Sequence, residues 1–166
     1  NVIIPVCSLH IKYIKTIINS IKAQTRKPDK VIFVLNEYSR YEDAYEEIIE
    51  NNNDYFYIKI DTWKTAGENR NIGYTEVIQS DDSIILFFDV DDLMSHILCE
   101  VVEYVFVKYK CDLLIYGSSR NKNKLINDYP NKNINKNDTN FPKNNKEILI
   151  DFIKSKIIRP AFPDYK

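Results

Sequence analysis

Short apolar runs alternate along this chain with longer stretches whose apolar residues recur every three or four positions. Residues 2–6 (VIIPV) form a dense β-branched run, closed by Pro5 and the small polar pair Cys7-Ser8, and predict a buried strand. Ile14, Ile17, Ile18 and Ile21 then fall at i, i+3, i+4 and i+7, which predicts an amphipathic helix over 10–23. Pro28 in QTRKPDK stops helix continuation and marks a turn. Residues 30–36 (KVIFVLN) predict a second buried strand, and 38–52 a helix with Tyr41, Tyr45, Ile48 and Ile49 on one side. Residues 55–60 (YFYIKI) alternate partially, as a third strand would. A loop entering a helix is expected over 65–79, and a fourth strand in SIILFFD, residues 83–89. A helix over 93–109 follows, with Leu98, Val101, Val102 and Val105 on one face, and a fifth strand over 112–117. Strand and helix alternating in this way predict βαβ units and a mostly parallel sheet, an α/β fold. Ligands of such sheets bind outside the carboxyl ends of the strands. Cys7-Ser8, Asn36-Glu37 and Asp89–Asp92 all follow strands and are expected along that one edge.

Composition narrows the picture. The 166 residues suit one domain by the prior of ~100–200 residues per domain. With 23 Lys plus Arg against 24 Asp plus Glu, the net charge is −1, which leaves no electrostatic footprint for nucleic acid. The three cysteines, Cys7, Cys99 and Cys111, are widely spaced and form no CxxC, so they read as free thiols of a reducing compartment. No apolar run approaches the ~20 residues that cross a bilayer, and no signal peptide is visible. The chain starts on an apolar run at Asn1, so it reads as an excised domain, cut at its carboxyl end as well. From residue 120 to 146 Asn and Lys dominate without a period, as in a long loop or insertion. The NDT at Asn137 is expected to be chance in so Asn-rich a tract.

Candidate chemistry sits in two places. FFDVDD ends a buried strand in Asp89, Asp91 and Asp92. Carboxylates crowded together stay ionised only where a cation or hydrogen-bond donors offset their charge. Mg²⁺ or Mn²⁺, held by one or two carboxylates and substrate phosphates, is such a cation. The plainer reading makes Asp92 the N-cap of a helix starting at Leu93. In AGENRNIG, residues 66–73, Arg70 stands near a helix start, where its planar fork and the backbone donors suit a phosphate. Trp63, between the third strand and this segment, could stack on a base or sugar, but packing is the simpler expectation. His10 and His96 are expected to be surface or capping residues.

VIIPVCS, SIKAQTRKPDKVIFVLNEYS, ENRNIG and FFDVDD, in this order and at these spacings, resemble the family 2 glycosyltransferases of GT-A fold over about residues 2–117. Those domains carry VIIPxYN, QT, DDGS, ARNxG and DxDD. The resemblance implies a three-layer α/β/α fold with a mostly parallel central sheet, as one GT-A-type domain over 1–166. It implies sugar transfer, with inversion, from a nucleoside-diphosphate sugar (a UDP-sugar first) to an acceptor hydroxyl of a glycan, polysaccharide or lipid. It also implies a cytoplasmic location or the cytoplasmic face of a membrane. Asp89 and Asp91 match the DxD that holds Mn²⁺ or Mg²⁺ and the donor diphosphate. Asp92 matches the following acidic position, and Arg70 the arginine near the nucleotide. Pro5 and Val6 match the strand end lining the base pocket.

The chain departs from that pattern in specific places. Asn36-Glu37 replaces the aspartate pair that reads the nucleoside, leaving Glu37 to accept from a ribose hydroxyl or base imide. Cys7-Ser8 replaces Tyr-Asn, and Tyr38 a glycine. Downstream of Gly117 the acidic residues are Asp128, Asp138, Glu147, Asp151 and Asp164, none in the acidic pair that supplies the family's base. No general base is assigned, and one beyond Lys166 is the expectation. Two rivals remain. A GT-A-like module that binds nucleotide without transfer fits the missing base. A haloacid-dehalogenase-type phosphatase would use Asp89 as nucleophile, but 88 residues precede the motif and Leu93 stands where that family has threonine.

Overall fold

The computed structural model describes residues 1–77 and 83–109. The chain divides into two units at Met94/Ser95, and the first carries the sheet. Strands β1 (Val2–Val6), β2 (Val31–Asn36), β3 (Phe56–Ile60) and β4 (Leu86–Phe87) pair in the order β3-β2-β1-β4, all parallel. β1 and β2 are buried along their whole length, as the unbroken apolar runs require, and pair Val2 with Val31 through Val6 with Leu35. Among the described strands β3 lies at an edge, which explains its partial alternation: Phe56 and Lys59 are exposed, and Tyr57 and Ile58 half-buried.

β1 differs from expectation in one informative way. Pro5 lies inside it, in register with Val34, and does not end it. A proline in a central strand normally breaks a ladder hydrogen bond. Here the odd residues of β1 face β4: Leu86 N–H donates to the Asn1 carbonyl and Phe88 N–H to that of Ile3. Pairing with β4 stops at Ile3–Phe87, so among the described residues the side on which Pro5 lacks a donor has no strand to satisfy.

Helices α1 (Ile14–Lys22), α2 (Glu42–Glu50) and α3 (Ala66–Thr75) connect the strands. The predicted isoleucine stripe of α1 is buried in full, and a 3-10 segment over Ser8–Tyr13 precedes it where helix was expected from residue 10. On α2, Tyr45 and Ile48 are buried, with Tyr41 and Ile49 half-buried. α1 and α2 lie side by side, joined by Lys15–Glu47 at 2.9 Å and Lys22–Asn52 at 3.0 Å. α3 covers the other face. Its Gly73 comes so close to the sheet that a Cβ there would stand 2.5 Å from Ile3 Cγ2. Ile3, Ile32, Val34 and Val77 form the core on this face, with Ile58 and Ile72 against it. This is what right-handed crossovers demand: β1→β2→β3 progress one way, and the return to β4 reverses direction and changes face. The reversal places a topological switch point between β1 and β4, where Val6 and Phe88 lead into Cys7-Ser8 and Asp89.

The second unit holds α4 (Leu98–Tyr109), in which Val101, Val102 and Val105 are buried. This helix starts five residues later than its pattern suggested. Residues 93–95 are irregular, and a turn closed by Leu98 N–H donating to the Ser95 carbonyl follows, so Asp92 is not a helix cap. The expected fifth strand and the Asn/Lys-rich segment lie outside the described residues.

Candidate functional site

The end of β1, the loops after β1, β2 and β4, and helix α3 carry the predicted residues. The first loop follows β1. Pro5 and Val6 are buried in the strand, and Cys7 and Ser8 are the first half-buried side chains beyond it. The second follows β2. Glu37 has φ 52°, a left-handed conformation rare for a residue with a side chain and worth attention as local strain. Its carboxylate accepts from Ser8 Oγ at 2.9 Å and pairs with Arg40 at 3.3 Å, so β1 and β2 are bridged across their ends.

Asn36, beside it, has a structural role. It is fully buried, and both ends of its amide grip the Lys64 backbone: Nδ2 donates to the Lys64 carbonyl at 2.7 Å, and Lys64 N–H donates to Oδ1 at 2.9 Å. Tyr45 O–H donates to the Asn36 carbonyl at 3.1 Å, and burial raises the Tyr45 phenol well above its ordinary value. Ser39 and Asp61 join the same two loops again, with Ser39 Oγ donating to Asp61 at 2.5 Å. The loop after β3 is thus laced to the loop after β2 at both ends.

α3 and the end of β4 supply the third group. Thr65 caps α3 in a capping box: Glu68 N–H donates to Thr65 Oγ1 at 3.2 Å and Thr65 N–H to Glu68 Oε2 at 2.7 Å. The Thr65 N–H, and then the Thr65 hydroxyl, which donates to the same Oε2 at 2.8 Å, hold the Glu68 carboxyl below its ordinary value. The helix start therefore already carries its own carboxylate, and the backbone donors expected there for a phosphate are in part used. Arg70 lies a full turn further in, and its guanidinium donates to Asp89 Oδ1. With 33% of the Arg70 side chain and 48% of the Asp89 side chain exposed, the pair is open to an incoming group.

Asp89 to Asp92 form a tight turn in which Asp92 N–H donates to the Asp89 carbonyl at 3.2 Å. Val90 is buried and anchors it, while Asp91 and Asp92 face solvent. Partial burial and then the charges of Asp89 and Asp91 push the Asp92 carboxyl above its ordinary value. Negative charge is thus in surplus, with Arg70 the one ion-pair partner of the turn among the described residues.

Sequence reasoning missed one feature here. Asn69 is 1% exposed, and its Oδ1 has no hydrogen-bond partner among the described residues; the same holds for Arg70 Nε. Orphaned buried atoms are uncommon and mark positions short of a partner. The only sequence signal was a polar residue at a helix position facing the sheet, four before Gly73. Trp63, expected to pack, is instead 64% exposed. The loop that carries it is tied down by its neighbour Lys64 and by Asp61, which leaves the indole itself outside. Cys7 is a free cysteine, as expected.

The structure thus makes two groups of the predicted residues: Ser8 with Glu37, and Arg70 with Asp89. The model of the family described as glycosyl transferase family 2 matches residues 1–161. The chain belongs to glycosyl transferase family 2. A search of curated proteins gives no match. Among solved structures, that of S. aureus TarS in complex with UDP aligns with a TM-score of 0.58 at 23% identity, covering 73% of this chain and 36% of that one. At this identity the likeness is one of fold, and it identifies this family 2 chain's α/β sheet as the GT-A arrangement. The chain spans about a third of the length of the TarS chain. Among the described residues of this family 2 chain, no helix is long and apolar enough to cross a membrane, and no three His, Cys, Asp or Glu side chains converge as a metal cage.

Proposed function

We propose that this chain binds a nucleoside-diphosphate sugar at the carboxyl edge of β1, β2 and β4 and transfers the sugar to an acceptor hydroxyl. The observation that carries the reading is the Arg70–Asp89 pair at the switch point, beside an acidic turn with surplus negative charge. UDP is the nucleotide to try first, since TarS was solved with it.

Arg70 is placed to hold the donor diphosphate. Its side chain is a third exposed, and its planar fork carries N–H donors beyond the one that meets Asp89. Glu37, steadied by Ser8, is placed to accept from the nucleoside. Pro5 and Val6 back that pocket from within the strand. Asp91 projects into solvent without an ion pair among the described residues, and with Asp89 it supplies hard oxygen donors. Such a set suits Mn²⁺ or Mg²⁺, which take one or two carboxylates and complete their shell with water and phosphate. When bound, the ion would supply Lewis-acid stabilisation of the leaving diphosphate.

In the transfer, an acceptor oxygen bonds to the anomeric carbon while the bond from that carbon to the diphosphate oxygen breaks. The nucleoside diphosphate leaves with the electron pair, and the acceptor proton passes to a base outside the described residues. Inversion at the anomeric carbon follows from this single displacement. The acceptor is a hydroxyl of a glycan, polysaccharide or lipid, met in the cytoplasm or at its membrane face, where nucleotide sugars are supplied. Release of UDP from UDP-sugars in the presence of Mn²⁺, stopped by chelation, is the direct assay. A folded chain that binds UDP but releases none from any UDP-sugar, with a range of acceptors, would support a binding module instead.

A further inference from the structure

We propose that Trp63 is the stacking wall of the nucleoside pocket and sets much of the affinity for the donor's base. The proposal rests on the donor site described above and adds to it the residue that holds the base. Trp63 is the single tryptophan of the chain. Its indole is 64% exposed and makes no ring, cation–π or hydrogen-bond contact with another described residue. A large aromatic surface left in water costs free energy that stacking would recover.

The position favours a base over other occupants. Trp63 immediately precedes Lys64, whose backbone is clamped twice by buried Asn36 at the end of β2. Two residues earlier, Asp61 accepts from both Ser39 Oγ at 2.5 Å and Ser39 N–H at 3.3 Å. Glu37 lies between Asn36 and Ser39 on the facing loop. Trp63 and Glu37 are therefore carried on two loops laced together on either side of them. One offers a flat apolar face and the other an acceptor, the pair of features that a base with imide or amine hydrogens needs.

The phosphate end lies elsewhere. Arg70 and Asp89 stand at the end of β4, with β1 between β4 and β2. Neighbouring strands are about 4.8 Å apart, so the end of β2, with Glu37, is separated from Asp89 by about 10 Å, and the loop with Trp63 leaves β3 one strand further on. An extended nucleoside diphosphate bridges such a gap with its phosphates at Asp89 and its base at Trp63. An acceptor sugar stacked on Trp63 would sit at the end remote from the transferred bond.

Because no other tryptophan is present, all indole emission reports this side chain. The experiment titrates the chain with UDP, and separately with pyrophosphate and with ribose 5-phosphate, following indole fluorescence in the presence of Mn²⁺. Calorimetry of UDP binding accompanies it for the wild type, Trp63→Phe and Trp63→Ala. UDP should quench or shift the emission, and the two base-less ligands should not. Trp63→Ala should bind UDP about tenfold more weakly, the size of one base–aromatic stacking contact, and Trp63→Phe should recover most of the loss. UDP binding measured by calorimetry with unchanged emission, or with equal affinity in Trp63→Ala, would overturn the stacking role and leave the donor site standing. Quenching by an acceptor sugar alone, without UDP, would overturn it in favour of an acceptor platform. If the folded wild type binds no nucleoside diphosphate, the donor reading falls, and this proposal with it.

Discussion

Asn36 holds Lys64 with both ends of its side-chain amide, one accepting from the Lys64 N–H and one donating to its carbonyl. No aspartate can do this, since an ionised carboxylate only accepts. The asparagine at the end of β2 therefore clamps one loop to another, while the adjacent Glu37 turns to Ser8 and Arg40.

Asn36→Ala should cost about 2 kcal/mol, because it leaves two backbone groups of a half-buried residue without partners. Asn36→Asp should also destabilise, as its carboxylate would face the Lys64 carbonyl. Urea unfolding midpoints of the two variants against wild type check this. Equal midpoints for Asn36→Asp and wild type would contradict the clamp.

Gly73→Ala sets two effects against each other. Alanine is favoured over glycine within a helix by about 1 kcal/mol. The new Cβ would lie 2.5 Å from Ile3 Cγ2 and 3.1 Å from Val34 Cγ2, and overpacking typically costs about 1–3 kcal/mol. Both neighbours belong to central strands, so the clash should win. A lower melting temperature is expected, with Ile3→Ala in the same chain recovering part of the loss.

Thr65→Ala should lose about 1 kcal/mol by removing the cap of α3. The Glu68 carboxyl in the same box is held below its ordinary 4.5 in the folded chain, first by the Thr65 N–H and then by the Thr65 hydroxyl. A lowered folded value means that the box stabilises fully above 4.5 and loses that effect as the pH falls through the folded value. The stability difference between wild type and Glu68→Gln should therefore be larger near neutrality than in acid, as thermal unfolding at several pH values would show.

The Arg70–Asp89 pair is a third to a half exposed, so solvent screening keeps its worth to the fold small. A double-mutant cycle with Arg70→Ala and Asp89→Ala should give a coupling of at most about 1 kcal/mol in unfolding. Arg70→Ala should nonetheless weaken nucleotide binding by an order of magnitude or more, with Arg70→Lys restoring little, because a point charge does not replace the planar fork. A large stability coupling with unchanged nucleotide affinity would make the pair structural.

What was legible in the sequence follows the strength of each local signal. The isoleucine stripe of α1 and the unbroken runs of β1 and β2 fixed their elements, because burial on one or both faces leaves a period. Arg70 and Asp89 were named from motifs, and the structure joins them. Pro5 misled because its tolerance depends on where β4 stops pairing, a long-range fact. The start of α4 was misplaced because the apolar residues Leu93, Met94 and Ile97 extend the pattern through an irregular stretch and a turn. The lacing of Asn36 to Lys64 and the exposure of Trp63 belong to contacts between loops, which carry no period at all.

The central claim is that the acidic turn after β4 and Arg70 form a metal-assisted nucleotide site. Calorimetric titration of the chain with UDP, with and without Mn²⁺, on the wild type and on Asp91→Ala, tests it most directly. The account predicts saturable UDP binding that requires Mn²⁺ and that weakens on the order of tenfold or more in Asp91→Ala. UDP binding of equal strength with and without Mn²⁺ and in both proteins, or none at all by a folded wild-type chain, would contradict it.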